Sequence, residues 1–351
     1  MKRRIVTRHP VTLLWSLRSL CPLACDYCYF GLVADHQIAP PTKAGQLSHI
    51  SRNDMNRKEV LAFARTLAGS AVGRVFLAGG EPLAWPGVLD VIQVIKAAGI
   101  EVVACTNGLP LAKAEIQDAL FDLGVDAISV SLDSTDPAVN DARRPDRFGR
   151  GTWHAAVDGI RAVIAQRAAG PAPRVGIYSV LTRRTIDDMP AMGRLTADLG
   201  CDYYVPQPIT LADDHKLHAE LSLRPDDEPR LRAAFDALYR EHPELVLPAS
   251  TYPQQVLDTL PRTTSPVATC FGGHTLHFIQ PDGAIWDCVS PYRIDATAPA
   301  ARRSIRGASA ADLFPAPTGH APGCPLFSHE CVNMWPLMDF DRVTEPSGSP
   351  R

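Results

Sequence analysis

The sequence predicts an α/β protein built around a parallel sheet. Three observations lead there: short β-branched runs alternate with amphipathic stretches of helical length, six such units follow one another between residue 11 and about residue 208, and the rhythm breaks after Pro208. The strands are expected at Val11 to Leu17, Arg74 to Ala78, Glu101 to Cys105, Ala127 to Leu132, Arg174 to Leu181 and Asp202 to Val205. Between them, helical periodicity runs over Asn56 to Leu67, Val88 to Ala98, Leu111 to Leu123, from Trp153 onward, and Ile186 to Leu199. In the Trp153 helix, Ala156, Val157, Ile160, Val163 and Ile164 fall on one stripe at the i, i+3, i+4, i+7 spacing of a core-facing helix. Six units are too few for the closed eight-stranded barrel, so the sheet is an open one or a partial barrel. Functional groups are then expected at the C-terminal strand ends, where the βα loops emerge.

Beyond Pro208 comes a polar stretch rich in Asp and His, a helix from about Pro229 to Arg240, and Pro-rich sequence to Pro266. A short hairpin follows, with Thr275 to Gln280 and Ala284 to Cys288 joined by Pro281-Asp282-Gly283. This divides the chain into a core at 1–210, a linker with a helix at 211–265, a small module at 266–340 and a loose tail at 341–351.

Composition sets the outer limits. With 351 residues, 46% hydrophobic and 21% charged, the chain can bury a real core, which excludes wholesale disorder and a small disulfide-stapled scaffold. A formal net charge of −3 removes the electrostatic case for a dedicated nucleic-acid binder. Lys2, Arg3 and Arg4 before Val11 to Leu17 imitate a secretory signal, but Arg18 interrupts the apolar run, which reads instead as the first strand. No apolar run approaches the roughly 18 to 20 residues of a membrane span. A reducing cytoplasm is the expected setting, with no membrane partner, and it leaves the nine cysteines available as ligands.

Three of those cysteines sit just past the first strand in Cys21-Pro-Leu-Ala-Cys25-Asp-Tyr-Cys28-Tyr29. Three thiolates so close can converge on one cluster, each on its own iron, whereas a closed structural zinc site takes four ligands. A four-iron cluster would keep one iron open to a ligand; a zinc loop is the alternative. The CxxxCxxC spacing, the aromatic Tyr29 after it and the βα series together resemble the radical S-adenosylmethionine (radical SAM) superfamily over about residues 8 to 208. Gly79-Gly80-Glu81-Pro82, after the second strand, is similar to that family's GGEP motif. The resemblance implies that backbone and the Glu81 carboxylate hold the amino group of SAM, and glycine and carboxylate chemistry suit that task. Thr106 and Asn107 at the end of the third strand, and Ser131 and Asp133 at the end of the fourth, resemble elements beside the SAM carboxylate and ribose; strand-end capping is their structural alternative. Arg143 or Arg144 is a candidate partner for the methionyl carboxylate. Tyr178, on the fifth strand, is placed by the resemblance near adenine, with core packing as the alternative.

A second constellation comprises Cys270, Cys288, Cys324 and Cys331. Cys270-x12-Gly283-x4-Cys288 resembles the opening half of the SPASM and twitch modules that follow many radical SAM cores. With Cys324 and Cys331, four thiolates make one fully ligated auxiliary 4Fe-4S cluster, fewer than the seven cysteines of a full SPASM module. Zinc is the alternative here, with His274, His277 or His329 as replacement ligands. Cys105 reads as a small buried hydrophobe, Cys201 as a candidate hydrogen donor, and Asp287 as a candidate general base.

The implied architecture is therefore a partial (β/α)6 radical SAM barrel followed by a small α+β twitch-like domain. The implied activity is that of a radical SAM oxidoreductase. SAM and the three-cysteine 4Fe-4S cluster yield a 5'-deoxyadenosyl radical that takes hydrogen from a substrate carbon, and the auxiliary cluster accepts an electron. Such chemistry needs a reducing donor such as flavodoxin or ferredoxin. The first strand begins at residue 11, which favours a sugar, aminocyclitol or other natural-product intermediate as substrate; a ribosomal precursor peptide is the alternative. The rival of another class, a non-catalytic iron–sulfur or zinc protein, accounts for the cysteines but not for Gly79 to Pro82 within the βα series.

Overall fold

The computed structural model describes residues 10–28, 53–167, 173–211, 213–261, 270–288, 301–319, 323–324 and 331–345. Tyr29 and His329, both singled out in the sequence, lie outside the described residues.

The six expected strands are present as β1 (Val11–Ser16), β2 (Val72–Ala78), β3 (Glu101–Thr106), β4 (Ala127–Ser131), β5 (Arg174–Leu181) and β6 (Tyr203–Pro208). Each pairs in parallel with the next in sequence. Crossover helices connect them: α1 (Arg57–Arg65), α2 (Val88–Ala97), α3 (Ala114–Asp122), α4 (Pro137–Arg143), α5 (Trp153–Gln166) and α6 (Met189–Asp198). The α1 start shows why the chain turns helical where it does. Asn56 accepts from Glu59 N while Glu59 accepts from Asn56 N, a reciprocal cap that satisfies two donors the helix leaves open.

Beyond β6 come α7 (His218–Leu221), α8 (Glu228–Glu241) and α9 (Tyr252–Thr259), then the hairpin β7 (Leu276–Ile279) and β8 (Ala284–Trp286), β9 (Arg303–Ser304) and the short α10 (Ala310–Leu313). The hairpin does not stand apart. β7 pairs in parallel with β1, so among the described residues one nine-stranded sheet runs β6-β5-β4-β3-β2-β1-β7-β8-β9. Because β1 is flanked by β2 and β7, β6 remains an edge of an open, partial barrel.

The two faces of the sheet have different partners. Leu13, Trp15, Val75, Leu77, Ile128, Val130, Val175 and Ile177 pack under the helices, as does the predicted α5 stripe of Ala156, Val157, Ile160 and Val163. The opposite face carries Phe76, Val103, Ala127, Tyr203, Leu276 and Phe278, and is covered by the C-terminal helices α11 (Cys331–Met338) and α12 (Asp341–Thr344) through Met334, Leu337, Met338, Phe340 and Val343.

This corrects the expected loose tail at 341–351: its first residues are docked. Arg74, fully buried at the start of β2, donates to Glu101 at 2.8 and 2.6 Å and to Asp341 at 2.5 Å, and lies over the Phe340 ring. A buried guanidinium needs such partners, and α12 supplies one of them.

Candidate active site

The cysteine loop leaves β1 at its C-terminal end and is tied down on both sides. Toward β2, Gly80 N donates to Arg18 O at 2.7 Å and Glu81 N to Leu20 O at 2.9 Å. A side chain on Gly79 would meet Arg18 O at 2.5 Å, and one on Gly80 would meet Leu20 O at 2.2 Å. The glycines are thus required by the protein's own backbone, a tighter reason than approach of a ligand. Toward α4, Ala24 N donates to Pro145 O at 2.8 Å, Asp26 N to Arg143 O at 3.0 Å and Arg147 N to Pro22 O at 2.9 Å.

Within this frame the three thiols come together. Cys28 N donates to Cys25 O at 3.2 Å, and Cys21 Sγ lies 3.4 Å from Leu23 N and 3.9 Å from Asn107 Nδ2. Burial raises the Cys21 thiol well above its ordinary range and Cys25 to about 12, with the neighbouring sulfurs adding to both. Arg144 opposes the rise at Cys25. Thiols held close together and poorly ionised on their own fit a metal cluster, whose positive charge converts them to thiolates. Among the described residues no three His, Cys, Asp or Glu side chains close on a single metal ion. A multi-iron cluster takes one thiolate per iron and spaces its ligands more widely.

Glu81 is only 1% exposed and accepts from Leu83 N at 3.0 Å, Thr106 Oγ1 at 2.9 Å and Asn107 N at 2.7 Å. Burial pushes its carboxyl up to about 7 despite these donors. A carboxylate offers about four lone-pair sites, so one further donor can be taken, and a cationic one would keep it ionised.

Asp133 is the second hub. It accepts from Tyr27 Oη at 2.5 Å, Arg144 Nη1 at 3.1 Å and Val180 N at 2.7 Å, while its own N–H donates to Asn140. Asp133 also heads the causes that raise the Arg144 guanidinium, against the cost of its burial. Tyr27, inside the CxxxCxxC loop, was not among the sequence candidates. The signal was its place between Cys25 and Cys28, facing no obvious partner until the fold brings Asp133 to it. A cavity of about 370 Å³ opens beside this hub, lined by Tyr27, Asp133, Arg143, Val180, Thr182 and Leu221 among others. That volume is in the range of small-molecule sites.

The remaining candidates divide. Arg144 pairs with Asp133 in the hub, whereas Arg143 lines the adjoining cavity and is held there by Asp26 at 3.1 Å and Glu220 at 2.6 Å. Ser131 pairs in register with Tyr178 on the sheet face opposite the crossover helices, beside Cys105 and Tyr203. Tyr178 Oη is buried with no hydrogen-bond partner among the described residues. Cys105 packs, partly buried, against the apolar cluster on that face, as expected of a small hydrophobe, and burial raises its thiol to about 12. Cys201 precedes β6, at the opposite end of the strands from Cys21, and packs in the core beneath the helices. That position separates it from the site and removes the case for a hydrogen donor.

On the sheet face opposite the crossover helices, beside β1 and β7, Cys270, Cys288 and Cys331 line one cavity with Leu14, Phe271, Phe278, Asp287 and Met334. Cys324 is buried but is not part of that lining. Asp287 lies 3.8 Å from His277 Nδ1 and is paired with Arg303 at 2.8 Å, and these two neighbours hold its carboxyl down at about 2. A carboxylate so stabilised is a poor proton acceptor, which argues against the expected general base.

The fold and this site define an open parallel α/β core with thiols gathered at the C-terminal end of β1. The superfamily profile described as "Radical SAM superfamily" matches residues 16–195, and the chain belongs to that superfamily. Similar proteins include GTP 3',8-cyclase of Chlorobaculum tepidum, 28% identical over 207 residues covering 58% of this chain and 54% of that protein. PqqA peptide cyclase of Methylorubrum extorquens (strain PA1) is 31% identical over 129 residues, covering 37% of this chain and 30% of that one. The chain thus spans about half or less of the length of these relatives. Among solved structures, anSMEcpe with bound AdoMet shares the fold with a TM-score of 0.62 at 16% identity, over 87% of this chain and 81% of that one. Streptococcus suis SuiB bound to S-adenosylmethionine has a TM-score of 0.61 at 13% identity, over 87% and 65%. Both neighbours are also known in complex with peptides, SuiB with its precursor peptide SuiA. No helix among the described residues is long and apolar enough to cross a membrane.

Proposed function

We propose that this protein is a radical SAM enzyme that modifies a peptide. The observation that carries the radical SAM chemistry is the thiol loop Cys21–Cys25–Cys28 locked between Glu81 and Asp133 at the sheet's C-terminal end. When bound to a four-iron cluster at these thiols, SAM supplies on one-electron reduction a 5'-deoxyadenosyl radical able to take hydrogen from an unactivated carbon. The chain's residues hold and shield that chemistry. Glu81, with one acceptor position left and braced by Thr106, takes the ammonium of SAM; Asn107 stays against Cys21; Arg144, Asp133 and Tyr27 hold the other side of the loop; and Ser131 stands at the C-terminal end of β4.

Cys270, Cys288 and Cys331, completed by Cys324, suit an auxiliary four-iron cluster, and its full ligation favours an electron-accepting role that makes the net reaction an oxidation. The peptide reading replaces the small-molecule expectation. It is supported by a similarly folded neighbour bound to its precursor peptide and by the similarity to PqqA peptide cyclase.

Anaerobic reconstitution tests the first part: about eight irons per chain, from two four-iron clusters, and 5'-deoxyadenosine release on reduction support it, and zinc without SAM cleavage overturns it. For the substrate, deuterated short peptides encoded beside the gene are presented to the enzyme. Deuterium in 5'-deoxyadenosine supports the peptide; transfer only from a deuterated sugar or aminocyclitol returns the assignment to a small molecule.

A further inference from the structure

We propose that the loop from Pro145 to Gly151 is the docking surface for a small acidic electron-carrier protein. This rests on the radical SAM reading above, since only a redox cluster at Cys21–Cys28 has need of such a partner.

Among the described residues three large apolar side chains are strongly exposed, and Phe148, at 68%, is the most exposed of them. It is flanked by two cations. The guanidinium carbons of Arg147 and Arg150 lie 4.9 and 5.1 Å from the centre of its ring. An exposed aromatic held between arginines matches the anchors that dominate protein interfaces, where aromatic residues and Arg are enriched.

The placement of this loop singles it out. Its backbone is bonded directly to the cysteine loop: Ala24 N to Pro145 O, Arg147 N to Pro22 O, and an antiparallel bridge between Leu23 and Asp146. A carrier seated on Phe148 therefore sits one layer of backbone from Cys21 and Cys25. The loop is also built to hold its shape without the partner. Asp146 accepts from Phe148 N at 2.8 Å, Arg150 N at 2.8 Å and Arg150 Nε at 2.6 Å, and Gly149 takes φ +79° to close the turn. A preformed tip loses little entropy on binding.

Charge selects the partner. The carboxylates nearest the loop are committed, Asp133 to Arg144, Asp26 to Arg143 and Asp146 to Arg150. Arg147 has no carboxylate within ion-pair distance among the described residues, and the Arg150 side chain is 72% exposed. On a chain whose overall formal charge is −3 this is a local positive spot, and it steers an acidic surface toward the cluster.

The test uses the reconstituted enzyme carrying Arg147→Glu and Phe148→Ser, which leave the backbone hydrogen bonds of the loop in place. SAM cleavage is followed with dithionite, a small reductant, and with flavodoxin hydroquinone. Binding of oxidised flavodoxin is measured separately by calorimetry. Docking predicts at least a tenfold loss of the flavodoxin-driven rate and of flavodoxin affinity at low salt, with the dithionite rate unchanged. The wild-type flavodoxin rate should fall steeply with salt and the variant's should not. Arg161→Glu, an exposed charge reversal on α5, should change nothing. Equal losses from Arg161→Glu, or unaltered flavodoxin binding in the double variant, overturn the proposal. Absence of cleavage with dithionite in the wild type would count against the enzymatic reading instead, and the calorimetry would still decide the surface.

Discussion

At the residue scale, Glu81 shows how one buried carboxyl can be costly to the resting protein and useful to the loaded one. Its ordinary value of 4.5 is raised to about 7, chiefly by burial. Between these values the folded state holds a proton that the unfolded state has lost, so stability is greatest below 4.5 and falls as pH rises through 7. The full penalty is roughly 3 kcal/mol above pH 7. Glu81→Gln carries no such charge. Thermal unfolding of the two proteins, stripped of iron and compared from pH 5 to pH 8, should therefore show the wild type losing stability relative to the variant as pH rises. The same variant should bind SAM at least tenfold more weakly after reconstitution, because it cannot answer an ammonium with a charge. A parallel pH response in the two proteins would remove Glu81 as the titrating group. Gly80 makes a purely steric counterpart. A methyl group there meets Leu20 O at 2.2 Å, and backbone cannot yield cheaply. Gly80→Ala is expected to destabilise by about 2 kcal/mol and to lower iron content at the first cluster, measured by denaturant unfolding and iron assay.

At the scale of elements, the strands and crossover helices were legible because period and chain order carry them. The six parallel strands fall within a few residues of their β-branched runs, and α5 buries the stripe its spacing announced. What the sequence hid was pairing at long range. Nothing local in Leu276 to Ile279 says that this hairpin joins β1 and extends the sheet, and Cys331 to Met338 carries Pro336 within the helix, so its periodicity is weak. Arg74 likewise reads as a polar interruption in an apolar strand until Glu101 and Asp341 are found around it. These contacts predict that α12 is a structural clasp. Removing one partner of a buried pair costs about 3 to 5 kcal/mol. Arg74→Ala should approach that loss in urea unfolding, and Asp341→Asn, which leaves Glu101 on the guanidinium, should lose less. Equal stability of Arg74→Ala and wild type would show that the tail contributes nothing.

At the scale of the molecule, the site was legible in its ligands and much less in its wiring. Cys21, Cys25, Cys28, Glu81, Asn107 and Asp133 were marked by spacing and strand-end position, whereas Tyr27 depends on a partner more than a hundred residues away, and Arg143 and Arg144 could not be told apart without their carboxylates. The two thiol clusters also stand on one continuous sheet. β1 delivers the first group from its C-terminal end while its β7 neighbour is preceded by Cys270, and Leu14 on β1 lines the second cavity. Damage to one should therefore leave the other folded, since each group hangs on its own loops. Replacing Cys270 and Cys288 together by Ala is expected to reduce iron from about eight to about four per chain, to preserve 5'-deoxyadenosine release on reduction, and to stop formation of oxidised peptide. Replacing Cys21, Cys25 and Cys28 should lower iron by the same amount but abolish SAM cleavage. Iron assay with product analysis by mass spectrometry separates the two outcomes. Turnover to product at the wild-type rate in the Cys270/Cys288 variant would show that the second group of thiols is structural, with no electron passing through it.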